Sequence, residues 1–309
     1  MLDQSSSELT RRGFLAASAV SAAAVAGLAV NAYAPKATAA TRPHLKKSVK
    51  FGMVSDKGPD GRKLSIEDRL QIAADAGFVS VEPDTIFDAQ NLKAYESGAR
   101  KAGVTVDAIV CSTHWGQPLS DPDPAVFEKT MDSMRVSLQN VKDLGGDMVL
   151  LVPAVVNPKV MYRDAWTRSV ERVKRLADDA EKIGITIGIE NVWNKFLLSP
   201  IEGKAFIEEI GSKRVQFWFD IGNVVLFGYP QDWIRTLGPL IARLDIKDFK
   251  SETKDFVPLQ EGSVDWPEVM RAIDEIGFKG YVAAEVQGGD LAYLTDVVSK
   301  RMDAIFALG

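Results

Sequence analysis

Five acidic residues, Glu82, Glu190, Asp220, Asp245 and Glu285, each close or nearly close a short run of β-forming apolar residues. Side chains on a strand alternate between its two faces, so parity along each run decides where its acid points. In Ile185-Thr186-Ile187-Gly188-Ile189-Glu190 the isoleucines share one face, and Thr186, Gly188 and Glu190 share the other. The same count puts Trp218 and Asp220 together in Val215 to Asp220, and Arg243, Asp245 and Lys247 together in Ala242 to Lys247. Glu285 ends the corresponding row in Tyr281 to Glu285, and Glu82 repeats the arrangement after Val79-Ser80-Val81. If the apolar faces pack outward against helices, every one of these acids faces inward at a strand's C-terminal end.

Carboxylates that converge repel one another strongly at low effective dielectric. Protonation, a cationic side chain or a bound divalent ion relieves the repulsion. The expectation is a divalent ion held by Glu190, Asp220, Asp245 and Glu285. The competing account leaves the charge to Arg243 and Lys247, with Asp245 paired to Lys247 two residues on.

The elements that must position these acids follow from hydrophobic periodicity. Short β-rich runs alternate with longer stretches of helical period, the pattern of βα units around a parallel sheet. Strands are expected near Phe51 to Val54, Ser80 to Glu82, Thr105 to Val110, Met148 to Val152, Ile185 to Glu190, Val215 to Asp220, Ile241 to Lys247 and Tyr281 to Glu285. Helix starts are marked by Ser65, by Pro124 and by Ser199-Pro200. Eight such units in roughly 260 residues fit a closed (β/α)₈ TIM barrel, whose active sites lie at the C-terminal mouth. No Gly-rich dinucleotide turn follows the first strand, and Gly58-Pro59-Asp60-Gly61 is not one.

The first forty residues differ from the rest. Thr10-Arg11-Arg12-Gly13-Phe14-Leu15 precedes an uncharged Ala- and Val-rich run from Ala16 to Val30, with small-residue cleavage sites at Ala32-Tyr33-Ala34 and Ala37-Thr38-Ala39. This reads as a twin-arginine signal peptide over 1–39, recognised by the Tat translocase and removed on export to the periplasm or another extracytoplasmic space. No membrane attachment is expected after cleavage. Residues 40–49 read as a basic linker, and 50–309 as the barrel. The net charge of −5 lacks the basic field that nucleic acid requires. Cys111 is the only cysteine, so the fold stands without an intramolecular disulfide.

These residues resemble the xylose isomerase-like barrel superfamily, within it the sugar isomerases and keto-sugar 3-epimerases. The resemblance runs from about Phe51 to the end. It is carried by Ile189 to Ser199, Phe219-Asp220-Ile221-Gly222-Asn223, Asp245-Ile246-Lys247-Asp248-Phe249, Glu261 to Trp266 and the terminal Tyr281 to Glu285 strand. It implies four metal ligands, usually Glu, Asp, His and Glu, which map to Glu190, Asp220, Asp245 and Glu285. Asp245 stands where histidine is usual. The resulting all-oxygen set favours Mn²⁺ or Mg²⁺, accepts Ca²⁺ and disfavours Zn²⁺.

The resemblance further implies that Glu190 and Glu285 act as acid and base on a keto-sugar, passing a proton through an enediolate. Glu82, His114, Trp115, Asn191, Trp193, Asn223 and Lys247 are the expected substrate contacts, with Asn194 and the inward Trp218 nearby. His114 reads equally well as a surface-loop residue, and the tryptophans as packing. Export and the lack of an Arg cluster or phosphate cradle point to an unphosphorylated carbohydrate. Two other readings fit the same residues: a lyase or hydratase acting on 3-keto-glycosides, and a noncatalytic carbohydrate-binding barrel in which Asp245 has cost the site its metal.

Overall fold

The computed structural model describes residues 42–309. The twin-arginine segment, both cleavage sites and the stretch up to Thr41 lie outside the described residues. Among those described, no helix is long and apolar enough to cross a membrane.

The main sheet is built from β1 (Leu45–Lys50), β2 (Ser80–Glu82), β3 (Thr105–Val106), β4 (Ala108–Val110), β5 (Met148–Leu151), β6 (Thr186–Glu190), β7 (Val215–Asp220), β8 (Ile241–Ile246) and, after a hairpin, β11 (Gly280–Ala284). Every pairing is parallel, in the order β3-β2-β1-β11-β8-β7-β6-β5-β4. The two ends of that series, β3 and β4, are consecutive pieces of one stave broken at Asp107. Backbone bonds from Val110 to Pro83 and from Thr85 to Val110, at 2.9 and 3.0 Å, carry the pairing round. The chain is an eight-staved TIM barrel.

Helices α1 (Ile66–Asp75), α2 (Ala89–Ala102), α3 (Pro124–Asp143), α4 (Tyr162–Ile183), α5 (Pro200–Ile210), α6 (Pro230–Leu237) and α7 (Trp266–Glu275) ring the sheet. Their apolar faces pack on outward strand residues such as Val49, Ile187, Ile189, Phe217, Phe219 and Leu244, all buried. Ser65 caps α1 in a capping box with Asp68, and Ser199 caps α5 ahead of Pro200, so the caps legible in the sequence start the helices they mark. The antiparallel hairpin of β9 (Asp248–Lys250) and β10 (Asp255–Val257) rises beyond the mouth and was not foreseen.

The first stave departs from expectation. Leu45–Lys50 form β1 and Phe51–Met53 a 3₁₀ turn, so the stretch taken for the end of a basic linker is barrel wall. Its lysines conceal the strand because their partners are distant in sequence. Lys47 pairs with Asp303 at 2.7 Å, and Lys50 with Glu82 at 2.6 Å, while Leu45 and Val49 join the core. The break at Asp107 has a similar origin. Its carboxylate accepts from Ser48 Oγ at 2.9 Å and from Arg243 Nε at 3.3 Å, forming a polar layer inside the barrel.

Trp218 lies inside the barrel, fully buried with Ala108, Met148 and Leu150. Gly188 makes room for it, since a Cβ there would lie 2.8 Å from Trp218 Cε3 and 3.0 Å from Met148 Sδ. Gly188→Ala should destabilise the fold by about 1–3 kcal/mol through overpacking. Urea unfolding reads this directly, and an unchanged midpoint would mean that the indole is free to shift.

Candidate metal and sugar site

The staves deliver their acids to one place. Glu190, Asp220, Asp245 and Glu285 each offer a carboxylate oxygen, and these oxygens all lie within 4.8 Å of one another. Glu190, Asp220 and Asp245 are buried, while the Glu285 side chain keeps 31% of its surface exposed toward the mouth. Glu82 joins them from β2, fully buried. Backbone pairing sets Asp220 opposite Asp245, so the convergence follows from register as well as from parity.

Two ammonium groups divide this charge. Lys247 Nζ stands 2.9 Å from Glu285 Oε2 and 3.2 Å from Asp220 Oδ2. Lys50 Nζ stands 2.6 Å from Glu82 Oε2 and 3.0 Å from Asp245 Oδ2, over the ring of Trp218 at 4.3 Å. The pairing of Asp245 with Lys247 is therefore corrected: Asp245 pairs with Lys50 from the neighbouring region of the barrel, and Lys247 reaches across to Asp220 and Glu285. Lys247 can do so because residue 222 is glycine, where a Cβ would lie 2.2 Å from Lys247 Cγ.

The acids respond differently to this field. Burial pushes Glu82 up to about 8 against the pull of Lys50, and Asp220 up to about 7 against Lys247. Burial, then Glu285 and Asp245, hold Glu190 well above the carboxylate range. For Glu285 burial also acts upward, but Lys247 and Lys50 together outweigh it and hold its carboxyl below the usual value.

The donor set fits a hard divalent cation. Among the described residues, Asp220 Oδ2, both Asp245 oxygens and Glu285 Oε2 are buried without a well-aligned hydrogen bond, although lysine nitrogens stand close to three of them. Carboxylate oxygens left in that condition are what a Mg²⁺- or Mn²⁺-type ion requires.

Residues 70–303 match the family described as the xylose isomerase-like TIM barrel. The chain belongs to that family. Within it, the chain is 30% identical over 169 residues to the D-psicose 3-epimerase of Agrobacterium fabrum, a match covering 52% of this chain and 55% of that protein. It is 24% identical over 277 residues to the L-ribulose-5-phosphate 3-epimerase of Escherichia coli, covering 84% of this chain and 96% of that one. The chain thus spans little more than half of the first relative and nearly all of the second. Among solved structures, the D-allulose 3-epimerase of Methylomonas sp., in complex with D-allulose, superposes with a TM-score of 0.70 at 18% identity, covering 88% of this chain and 100% of that one. A xylose isomerase-like TIM barrel protein of Mycobacterium smegmatis, in complex with magnesium, gives 0.63 at 17%, covering 86% and 97%. These structural likenesses are of fold.

The remaining candidate residues of this xylose isomerase-like barrel separate into two groups. Asn191 and Asn223 are tied to the backbone. Asn191 exchanges two 2.8 Å bonds with the main chain of Asp220, and Asn223 donates to Asn191 O at 3.0 Å while its own N–H donates to Asp220 Oδ1 at 2.7 Å. Asn194 likewise bonds Ala154 O and Phe196 N. Asn191 and Asn223 lock the ends of β6 and β7 together and so aim Glu190 and Asp220. Trp218 forms the floor rather than a wall.

His114, Trp115 and Trp193 lie around the mouth. His114 is buried, and its Nδ1 accepts from Val152 N at 3.2 Å. Burial first, helped by Lys50 and opposed by Glu285, lowers its pKa to about 3, so the ring is neutral with its proton on Nε2. Trp115 is half exposed beside it. Trp193 donates to Asn223 O at 2.8 Å and stacks on Phe256 with ring centroids 4.9 Å apart. Sequence reasoning missed Lys50 and Phe256. The alternation of Leu45 and Val49 with Lys46, Ser48 and Lys50 could have revealed the first, whereas nothing in the local pattern marks the second.

Removing Lys50 strands two buried carboxylates. Lys50→Met should cost about 3–5 kcal/mol in urea unfolding, with part of the loss restored by Mn²⁺. A neutral substitution would show that this ion pair holds nothing in place. Because the folded pKa values of Glu82 and Asp220 are raised, the native metal-free protein binds more protons than the unfolded chain, and stability falls as pH rises from the ordinary carboxylate range up to about 7 for Asp220 and about 8 for Glu82. Thermal unfolding of chelator-treated protein should shift to lower temperature across that window, and Mn²⁺ should flatten the dependence. A midpoint that rises with pH would mean that these carboxyls are already ionised.

Proposed function

We propose that this chain is an exported, divalent-metal-dependent sugar epimerase or isomerase that acts on an unphosphorylated keto-sugar. The observation that carries this reading is the set of four carboxylate oxygens within 4.8 Å of one another at the barrel mouth. The 3-epimerase relatives of the chain support it.

Glu190, Asp220, Asp245 and Glu285 would hold a divalent ion, which would supply a Lewis acid for the carbonyl and adjacent hydroxyl of the sugar. The proton chemistry belongs to the side chains. Glu190 on β6 and Glu285 just beyond β11 are separated by β7 and β8, so they reach the carbon between carbonyl and hydroxyl from different sides. One removes its proton to form the enediolate and the other returns a proton. Removal from C3 and return to its opposite face gives the 3-epimer, whereas removal from C1 and return to C2 gives an aldose. The Nε2–H of His114, whose Nδ1 is held by Val152 N, is the donor for negative charge developing on the sugar oxygens.

The preference for an unphosphorylated sugar rests on two features. Among the described residues at the strand ends, Lys50 and Lys247 each already bridge two carboxylates, which leaves a phosphate no free cation there. The twin-arginine pattern supports a working location outside the cytoplasm, away from sugar phosphates.

The test is deuterium exchange from D₂O into keto-hexoses, followed by NMR with Mn²⁺-loaded protein. Exchange at the carbon beside the carbonyl is expected, and Glu190→Gln or Glu285→Gln should slow it by about 100-fold or more. Exchange confined to phosphorylated sugars would overturn the substrate class, and full exchange in either variant would overturn its role.

A further inference from the structure

We propose that Lys50 decides which divalent ion the carboxylate cluster accepts: by occupying one oxygen of Asp245 it leaves that residue a single oxygen for coordination, which favours an ion of the Mn²⁺ or Mg²⁺ type over Ca²⁺. This rests on the metal reading of the site and assigns a positioning role to a residue that coordinates nothing itself.

Register delivers the ammonium. Lys50 pairs with Glu82 where β1 meets β2, and its Nζ stands 2.6 Å from Glu82 Oε2. The same Nζ stands 3.0 Å from Asp245 Oδ2 on β8, although β11 lies between β1 and β8. The way across β11 is open because its residue at that level is Ala283, which pairs with Ser48 on one side and Asp245 on the other and shares the inward face that ends at Glu285. The fully buried ring of Trp218 lies 4.3 Å from the ammonium and closes the space on the axis side.

The two lysines of the mouth differ in how they can answer an arriving ion. Lys247 lines a cavity of about 350 Å³ together with Glu285, Phe256, Gln287 and Tyr293, so its flexible stem can swing the ammonium away from Asp220 and Glu285 toward the opening. Lys50 has no such exit, since its side chain is only 8% exposed and is shut in by Trp218, Glu82 and Asp245. It therefore stays against Asp245 when the cluster fills. An ion that took both Asp245 oxygens would share Oδ2 with a fixed like charge at low dielectric, so coordination falls to Oδ1. Asp220 is limited in a similar way, because its Oδ1 accepts the Asn223 N–H at 2.7 Å. Ca²⁺ takes roughly six to eight oxygens and commonly both from one carboxylate, whereas Mg²⁺ and Mn²⁺ are satisfied by a compact octahedral set. A cluster restricted to one oxygen from each of these residues suits the smaller ions.

The test is calorimetric titration of the chelator-treated full chain with Mn²⁺ and with Ca²⁺, reading the ratio of the two affinities. Both ions carry the same charge, so a change in the overall field moves both affinities and leaves their ratio. The parent is expected to prefer Mn²⁺, and Glu82→Gln, which keeps Lys50 against Asp245, to retain that preference. Lys50→Met should lose about tenfold or more of it. The double variant Lys50→Met with Glu82→Gln removes both partners of the pair, which spares the fold a stranded charge at residue 82, and it should lose the preference to the same extent. An unchanged ratio in both Lys50 variants would overturn the role of Lys50 and leave the metal reading standing. A parent that prefers Ca²⁺, or a preference already lost in Glu82→Gln, would overturn it as well. Failure of the parent to bind either ion would overturn the metal reading and this inference with it.

Discussion

Five carboxyl groups packed at one end of a barrel with two ammonium groups cannot all ionise without leaving negative charge in excess, because most of these groups are shut away from water. Every other feature of the mouth serves that condition. Lys50 bridges Glu82 and Asp245, and Lys247 bridges Asp220 and Glu285, so each cation is shared and neither neutralises its partners fully. What remains is an excess of donor oxygens with no proton donor aligned to them, and such an excess favours a divalent cation.

Placing the charges this way constrains residues far from any chemistry. Gly222 exists in its form because the stem of Lys247 crosses it, and Gly188 because Trp218 fills the axis beneath the acids. The indole in turn gives Lys50 an aromatic face and separates the mouth from the polar layer formed by Ser48, Asp107 and Arg243. Asn191 and Asn223 bind the ends of two strands together, so that Glu190 and Asp220 are aimed by backbone bonds rather than by their own rotamers. A site that relies on proton transfer between fixed partners needs this kind of support.

The acids also differ in exposure, and function depends on the difference. Glu190, Asp220 and Asp245 are sealed in, while Glu285 opens toward the cavity lined by Phe256 and Tyr293. That open side is the accessible approach to the cluster. It is flanked by aromatic surface contributed by the β9–β10 hairpin and by the loop carrying Trp193, both outside the barrel proper. Barrel and loops thus contribute differently, with the carboxylates on the staves and the aromatic surface above them.

The sequence by itself determined the barrel, the helix caps and the inward direction of the four clustered carboxylates. Strand alternation and turn residues are local properties, readable wherever an apolar run ends in an acid. It also determined that Asp245 is a carboxylate, and hence that the ligand set is all oxygen. Only the tertiary structure decided which cation meets which acid. Lys50 sits in a stretch whose composition reads as linker, and its partners Glu82 and Asp245 come from staves on either side of it, one of them nearly two hundred positions away, so no local pattern could reveal the pairing. The roles of Asn191 and Asn223 and the arrival of Phe256 beside Trp193 were hidden for the same reason. Periodicity reports which way a side chain points, whereas charge pairing and packing depend on what the closed barrel brings opposite it.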